Sequence, residues 1–400
     1  MSFLSKLFAS TKKSKSVIGI DVGSSSLKVV QLRREGGTAV LETYGELALG
    51  PYSGGEVGTA TNLPAAKITE SLKDLLREAN VTTNEAGVSI PFSRSLLTLV
   101  TLPYRENPDE QKTIIELEAR KYIPVPVSEV QLDWFILPQP IPEGGKDALK
   151  EAPQKVDVLL VAVHNDELKL LEQVVTGAEL QATFYEIEIF STIRSVVDEP
   201  VKPVLVLDIG ASATKVYVVE HGVVALSHNI PKGGQDVTRT IAAAHSMTIQ
   251  KAEILKKEHG FRAAGASSYD RSTIELVFSR IFEEAKRAMM QYEAGESKSI
   301  STLILTGGGG VTKELGAYAK SFFSLDVQVA DPFSKTQTPA FMQPVLKEIG
   351  PEFAVAVGLA LNRGEIRKRS GRNHHSGGVH GDVSRVSLNL ARLIQQSPHI

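Results

Sequence analysis

Short alternating apolar runs recur along this chain, and two of them are near copies set far apart. Residues 17–20 lead into Asp21-Val22-Gly23-Ser24-Ser25-Ser26-Leu27-Lys28-Val29, and residues 204–207 lead into Asp208-Ile209-Gly210-Ala211-Ser212-Ala213-Thr214-Lys215-Val216. An apolar run, a Gly-centred turn and a second alternating run (Leu27, Val29, Leu32; Val216, Val218) predict a β-hairpin in each place. Asp, Gly, Ser and Lys repeat at identical spacing. Two hairpins with the same polar residues at their turns predict a duplicated α/β fold whose two lobes close on one ligand.

Helical periodicity through Ile68, Leu72, Leu75 and Leu76 predicts a helix over 63–78, after a Gly/Pro/Thr-rich loop at 50–62. Strands are predicted at 88–91, 96–102, 130–137 and 156–163. A helix at 109–122 is stopped by Pro124 and Pro126, and another at 165–175 has Asn165 as its expected N-cap. Residues 86–177 therefore read as an α+β subdomain inserted into the first lobe (17–85 and 178–200), a place where a duplicated scaffold acquires partner surfaces. The second lobe, 201–362, has an outer part at 232–300, with helices at 237–245, 252–260 and 272–293. A strand at 301–306, helices at 311–321 and 353–361, and tails at 1–16 and 363–400 complete the division; 363–384 is expected to be disordered.

Composition narrows the class. Four hundred residues exceed one comfortable core, and a net charge of −2 gives no global drive toward nucleic acid. The absence of cysteine excludes disulfides and thiolate metal sites. No apolar run reaches the roughly 18 residues of a membrane span, and no secretory signal is visible, so a soluble cytosolic protein is expected. The first sixteen residues carry Phe3, Leu4, Leu7 and Phe8 beside Lys12, Lys13 and Lys15, which fits either attraction to an anionic membrane surface or a frayed terminus.

The chemistry suited to the two turns is polyphosphate binding. Positive φ at Gly23 and Gly210 would turn backbone N–H groups toward an anion, and Ser24, Ser25, Ser212 and Thr214 add hydroxyl donors. Lys28 and Lys215 bring charge. Asp21 and Asp208 would repel phosphate but suit Mg2+ that keeps most of its waters. Gly307, Gly308 and Gly309, between a strand and a helix, allow backbone to lie against a planar ring. Glu253 and Lys256 share a helix face, as ribose or base contacts or as a surface ion pair.

This order of motifs resembles the actin-like ATPase superfamily. Within it, Gly23-Ser24-Ser25-Ser26-Leu27-Lys28, the stretch Glu118-Ala119-Arg120-Lys121-Tyr122-Ile123-Pro124, and Val130-Gln131-Leu132-Asp133-Trp134 are similar to the PilM family, relatives of the cell-division protein FtsA. The resemblance implies an ATP-binding scaffold of type IV pilus assembly on the cytoplasmic side of the inner membrane. It implies a groove in the inserted subdomain for the N-terminal cytoplasmic peptide of PilN, indirect membrane contact through PilN, and contacts with other platform or motor proteins. Asp21, Gly23, Ser24, Ser25 and Lys28 match the first phosphate motif; Asp208, Gly210, Ser212, Thr214 and Lys215 match the second. Glu253 and Lys256 match the ribose and base contacts, and Gly307 to Gly309 the adenosine turn. An FtsA-like membrane anchor and a small-molecule kinase are the alternatives.

Ala211 and Ala213 leave the second turn with fewer hydroxyls, which bears on hydrolysis more than on binding. Hydrolysis needs a group that positions water, and Glu186 and Glu188 are the candidates, pointing the same way if 184–190 is a strand. In the tail, Val386, Leu388, Leu390, Leu393 and Ile394 fit an amphipathic membrane helix, a self-docking peptide or a disordered end; His374, His375 and His380 make a poor metal site in Gly/Ser surroundings.

Overall fold

The computed structural model describes residues 16–137, 154–198, 202–262, 271–296 and 298–362. The first hairpin is β1 (Ser16–Val22) and β2 (Ser26–Glu35), followed by β3 (Thr38–Ala48). With β4 (Glu85–Ile90) and β8 (Gln181–Ile187) these form a sheet ordered β3-β2-β1-β4-β8. The second hairpin repeats the plan. Strands β9 (Val204–Ile209), β10 (Thr214–Glu220), β11 (Val223–Ile230), β12 (Thr302–Thr306) and β13 (Asp326–Val329) are ordered β11-β10-β9-β12-β13. In both sheets a central strand pairs antiparallel with its hairpin partner and parallel with the strand on its other side. The duplication read from two short motifs thus extends to whole sheets.

Helices cover these sheets through one apolar face each. Ile68, Leu72 and Leu75 of α1 (Ala65–Glu78) share a core with Leu168, Leu171 and Val174 of α3 (Asn165–Gly177). A fully buried Leu or Ile contributes roughly 1.5–3 kcal/mol, so the two stripes seat both helices firmly. In the second lobe, α5 (Gly234–His245), α6 (Ile249–His259) and α7 (Arg271–Glu296) form the outer helical layer. The side chains of Ile274, Phe278, Ile281 and Phe282 of α7 are packed into that lobe's core.

A third sheet shares no strand with the other two, although Leu97, Leu159, Val161 and Val163 on one of its faces join the first lobe's core. It is built from β5 (Ser95–Pro103), β6 (Val130–Ile136) and β7 (Lys155–His164), all antiparallel, and packs with α2 (Pro108–Ala119) around Val100, Leu102, Ile115 and Leu160. The inserted unit is therefore smaller than 86–177. Strand β4 is hydrogen-bonded between β1 and β8, and Leu168, Leu171 and Val174 of α3 lie in the first lobe's core. Asn165 is not the N-cap either. His164 occupies that position, and the Asn165 amide donates to the Ser128 carbonyl at 2.9 Å.

The last described helix corrects the lobe division. Helix α10 (Ala354–Leu361) follows the second lobe in sequence, yet it packs between β1 and α4 (Glu188–Val196) of the first. Its sequence is apolar on every side, as suits a helix buried all round. A Cβ at Gly19 would collide with the Ala356 carbonyl, and one at Gly358 with the Ser191 carbonyl, so this close approach requires glycine at both points. No helix among the described residues is long and apolar enough to cross a membrane. The readings made for residues 1–15, for the loop at 138–153, and for the apolar run and histidines of the tail lie outside the described residues.

Candidate nucleotide-binding cleft

The turns of both hairpins open onto one cleft of about 540 Å³. Register explains why the repeated residues meet there. Asp21 lies directly across β1–β2 from Lys28, and Asp208 directly across β9–β10 from Lys215, so each turn presents one carboxylate and one ammonium side by side. Gly23, Ser24, Ser25, Gly210 and Ser212 line the same cleft, with Glu188, Glu253, Lys256 and Gly307 to Gly309. The glycines of the turns are there for a different reason than the sequence suggested. Neither Gly23 nor Gly210 has positive φ. Each turn closes so tightly that a Cβ would stand 2.8 Å from the Ser26 carbonyl oxygen at Gly23, or 3.0 Å from that of Ala213 at Gly210.

Charge is concentrated at the floor. Lys215 Nζ donates to Glu188 Oε2 at 2.8 Å and to Asp208 Oδ2 at 3.4 Å. The other Glu188 oxygen accepts the Phe92 backbone N–H at 2.7 Å. Burial alone would lower the Lys215 ammonium, but Asp208 and Glu188 outweigh it and hold the group far above its ordinary range. Burial raises Glu188, against the pull of Lys215, and the nearby Asp208 and Asp21 raise it further. Burial also raises Asp21, while Lys28, Lys215 and the Ser89 hydroxyl oppose it. Ser89 donates to Asp21 Oδ1 at 3.0 Å and accepts the Val22 N–H at 3.1 Å, which fixes the carboxylate.

The opposite wall differs in character. Lys256 Nζ donates to Glu253 at 2.6 Å, to the Thr238 hydroxyl at 2.9 Å and to the Gly234 carbonyl at 3.2 Å. Burial lowers the Lys256 ammonium in spite of Glu253. The pair is held within the cleft wall, not on the free surface. Gly307 does have positive φ, at 79°, and a Cβ there would strike the Asp208 carboxylate. Its N–H donates to the Pro351 carbonyl at 2.9 Å, and that of Gly309 to the Ile209 carbonyl at 2.7 Å. This turn consumes residues through Glu314, so α8 (Leu315–Phe323) starts later than the 311 expected.

Two sequence-nominated residues are absent from the cleft. The Thr214 side chain is buried, and its hydroxyl donates to the Lys232 carbonyl at 2.8 Å. Strand β8 ends at Ile187, so Glu186 and Glu188 do not continue along one strand: Glu188 opens α4. Glu186 takes two hydrogen bonds from Arg194, at 2.6 and 2.7 Å, and one from Ser191 at 2.5 Å, and it is 2% exposed. It is committed to holding α4. Conversely, sequence reading missed Ser89, and it missed Glu46, whose carboxylate lies 3.0 Å from Lys28 Nζ. Glu46 faces Lys28 across β2–β3, a pairing that only the strand register reveals.

Two copies of one sheet plan, a shared cleft at their Gly turns and a final helix that returns to the first lobe define the actin-like ATPase fold. A PilM–PilN type IV pilus biogenesis complex aligns with a TM-score of 0.73 at 24% identity, covering 87% of this chain and 98% of that one. The ethanolamine utilization protein EutJ from Carboxydothermus hydrogenoformans aligns with a TM-score of 0.50 at 14% identity, covering 89% and 93%. The family profile described as type IV pilus assembly protein PilM matches residues 19–364, and the chain belongs to that family. This membership sets aside the FtsA-like and small-molecule kinase alternatives.

Proposed function

We propose that this protein is an ATP-binding scaffold of the type IV pilus assembly machinery, peripheral to the cytoplasmic face of the inner membrane. Its partner is the N-terminal cytoplasmic peptide of PilN, received at the inserted unit; the similar fold solved as a PilM–PilN complex supports that choice. The carrying observation is the pair of Asp–Lys turns facing one cleft. Backbone N–H groups and serine hydroxyls at 24, 25 and 212 take the phosphates, Lys28 and Lys215 neutralise them, and Glu253 and Lys256 contact the ribose or base beside the Gly307–Gly309 turn. Among the described residues no group of three or more metal-ligating side chains occurs. Two carboxylates still fit Mg2+, which completes its shell with water and phosphate oxygens. Asp21 and Asp208 would hold it, and the ion supplies charge neutralisation across the phosphates.

Turnover is slow in this reading. Glu188 is the carboxylate placed to orient a water, but it is tied to Lys215 and to the Phe92 N–H, and burial favours its neutral form. Nucleotide then acts as a clamp that favours the closed lobes in proportion to its differential affinity for them. Titration with ATP, with and without magnesium, tests the cleft. Asp21→Ala with Asp208→Ala should abolish magnesium-dependent binding while the circular dichroism spectrum is retained; unchanged affinity refutes the assignment. Tyr122→Ala, an exposed position just beyond α2, should weaken capture of a PilN-type peptide more than nucleotide binding. The reverse ranking would misplace the groove.

A further inference from the structure

The segment 49–62, between β3 and α1, ties the first phosphate turn to the far wall of the cleft. At its ends, the Leu49 N–H donates to the Ser25 carbonyl and the Thr61 N–H to the Ser24 carbonyl, both at 2.8 Å. At its middle it reaches the other lobe. The Glu56 carboxylate accepts the Gln250 backbone N–H at 2.6 Å in the first turn of α6, where N–H groups have no helical partner and the helix dipole favours an anion. Two residues on, Gly58 has a φ of 89°, and a Cβ there would sit 2.9 Å from Cγ of Glu253. Leu49, Val57, Gly58 and Thr61 line the cleft itself.

Three consequences follow from this placement. The segment leans on Glu253, so closing it presses a ribose-contacting residue toward the ligand. It shares backbone hydrogen bonds with Ser24 and Ser25, so phosphate at that turn and its own position are coupled. It spans both lobes, so the cleft cannot widen on this side without breaking the Glu56 contact. We propose that residues 49–62 are a strap that gates nucleotide exchange, with Glu56 as its latch and a positioning residue for Glu253. The inference rests on the nucleotide reading of the cleft.

Stopped-flow mixing and chase of a fluorescent mant-ATP on the full chain tests it. Losing one exposed carboxylate contact at a helix N-terminus should speed dissociation of Glu56→Ala by about 2–5-fold. Association should rise too, since a gate opposes passage both ways; a contact that only steadied the bound state would move dissociation alone. Glu56→Gln keeps an acceptor oxygen and should recover most of the wild-type rates. The chain has no cysteine, so E56C/Q250C adds the only two. Bridged by a disulfide or a short thiol crosslinker, this pair should slow both rates, and cleavage of the bridge should restore them. Wild-type rates in Glu56→Ala, an effect confined to dissociation, or free exchange in the bridged protein would each overturn the strap. Failure of wild-type protein to bind mant-ATP would overturn the nucleotide reading first, a result distinct from the other three.

Discussion

Lys215→Met probes the floor of the cleft most directly. The ammonium lies 2.8 Å from Glu188 and 3.4 Å from Asp208, with side chains 15%, 10% and 6% exposed. Lys215 belongs to the second lobe and Glu188 opens α4 of the first, so this contact also joins the lobes. Removing one partner of a buried ion pair strands its counter-charge and costs about 3–5 kcal/mol. Lys73→Met supplies the control: its partner Glu179 is 84% exposed, so the loss should be about 1 kcal/mol or less. The pH dependence has a definite sign. Burial already raises Glu188 in the folded protein, and without Lys215 it rises further. A carboxyl raised on folding contributes nothing adverse while protonated in both states, and its penalty grows as pH climbs past its unfolded value. The deficit of Lys215→Met should therefore be greatest near pH 8 and shrink toward pH 5, and adding Glu188→Gln should recover part of it. Urea unfolding at a series of pH values measures this. A midpoint equal to wild type at pH 8, or a deficit independent of pH, would refute the reasoning.

Two further outcomes distinguish structural from functional carboxylates. Arg194→Met should destabilise the fold by about 3–5 kcal/mol by stranding Glu186, yet leave ATP affinity unchanged in protein that remains folded; a selective loss of binding would return Glu186 to the site. Asp133 of the inserted sheet is pushed up to about 6 by burial, only partly offset by the Trp134 N–H. Stability tied to its neutral form is present below pH 4 and lost as pH rises through 6. Asp133→Asn should thus stabilise the protein at pH 7.5 by about 1–2 kcal/mol, after allowing for solvent screening, and have little effect at pH 4. Equal melting of variant and wild type at pH 7.5 would contradict this.

The legible parts were those governed by local periodicity. The two hairpins, the amphipathic helix over Ile68, Leu72 and Leu75, the strands β5, β6 and β7 and the helix closing on Gly260 all appear where alternation, 3.6-residue spacing or turn chemistry places them. The site was legible to the extent that it sits on those hairpins. Errors arose where a residue's role depends on a distant partner. Thr214 carries the motif's hydroxyl but spends it on Lys232. Glu186 and Glu188 are two residues apart, and only the end of β8 at Ile187 sends one to Arg194 and the other to Lys215.

Repetition of Asp, Gly, Ser and Lys at one spacing was enough, by itself, to determine a duplicated scaffold with paired Asp–Lys turns, because strand alternation brings Asp21 beside Lys28 and Asp208 beside Lys215 without help from the rest of the chain. Tertiary structure alone decided that α10 returns to the first lobe, that Glu46 holds Lys28, and that Glu56 reaches α6. Those contacts join residues from 18 positions apart, as Lys28 and Glu46, to 337 apart, as Gly19 and Ala356, so they exist only once the chain has folded.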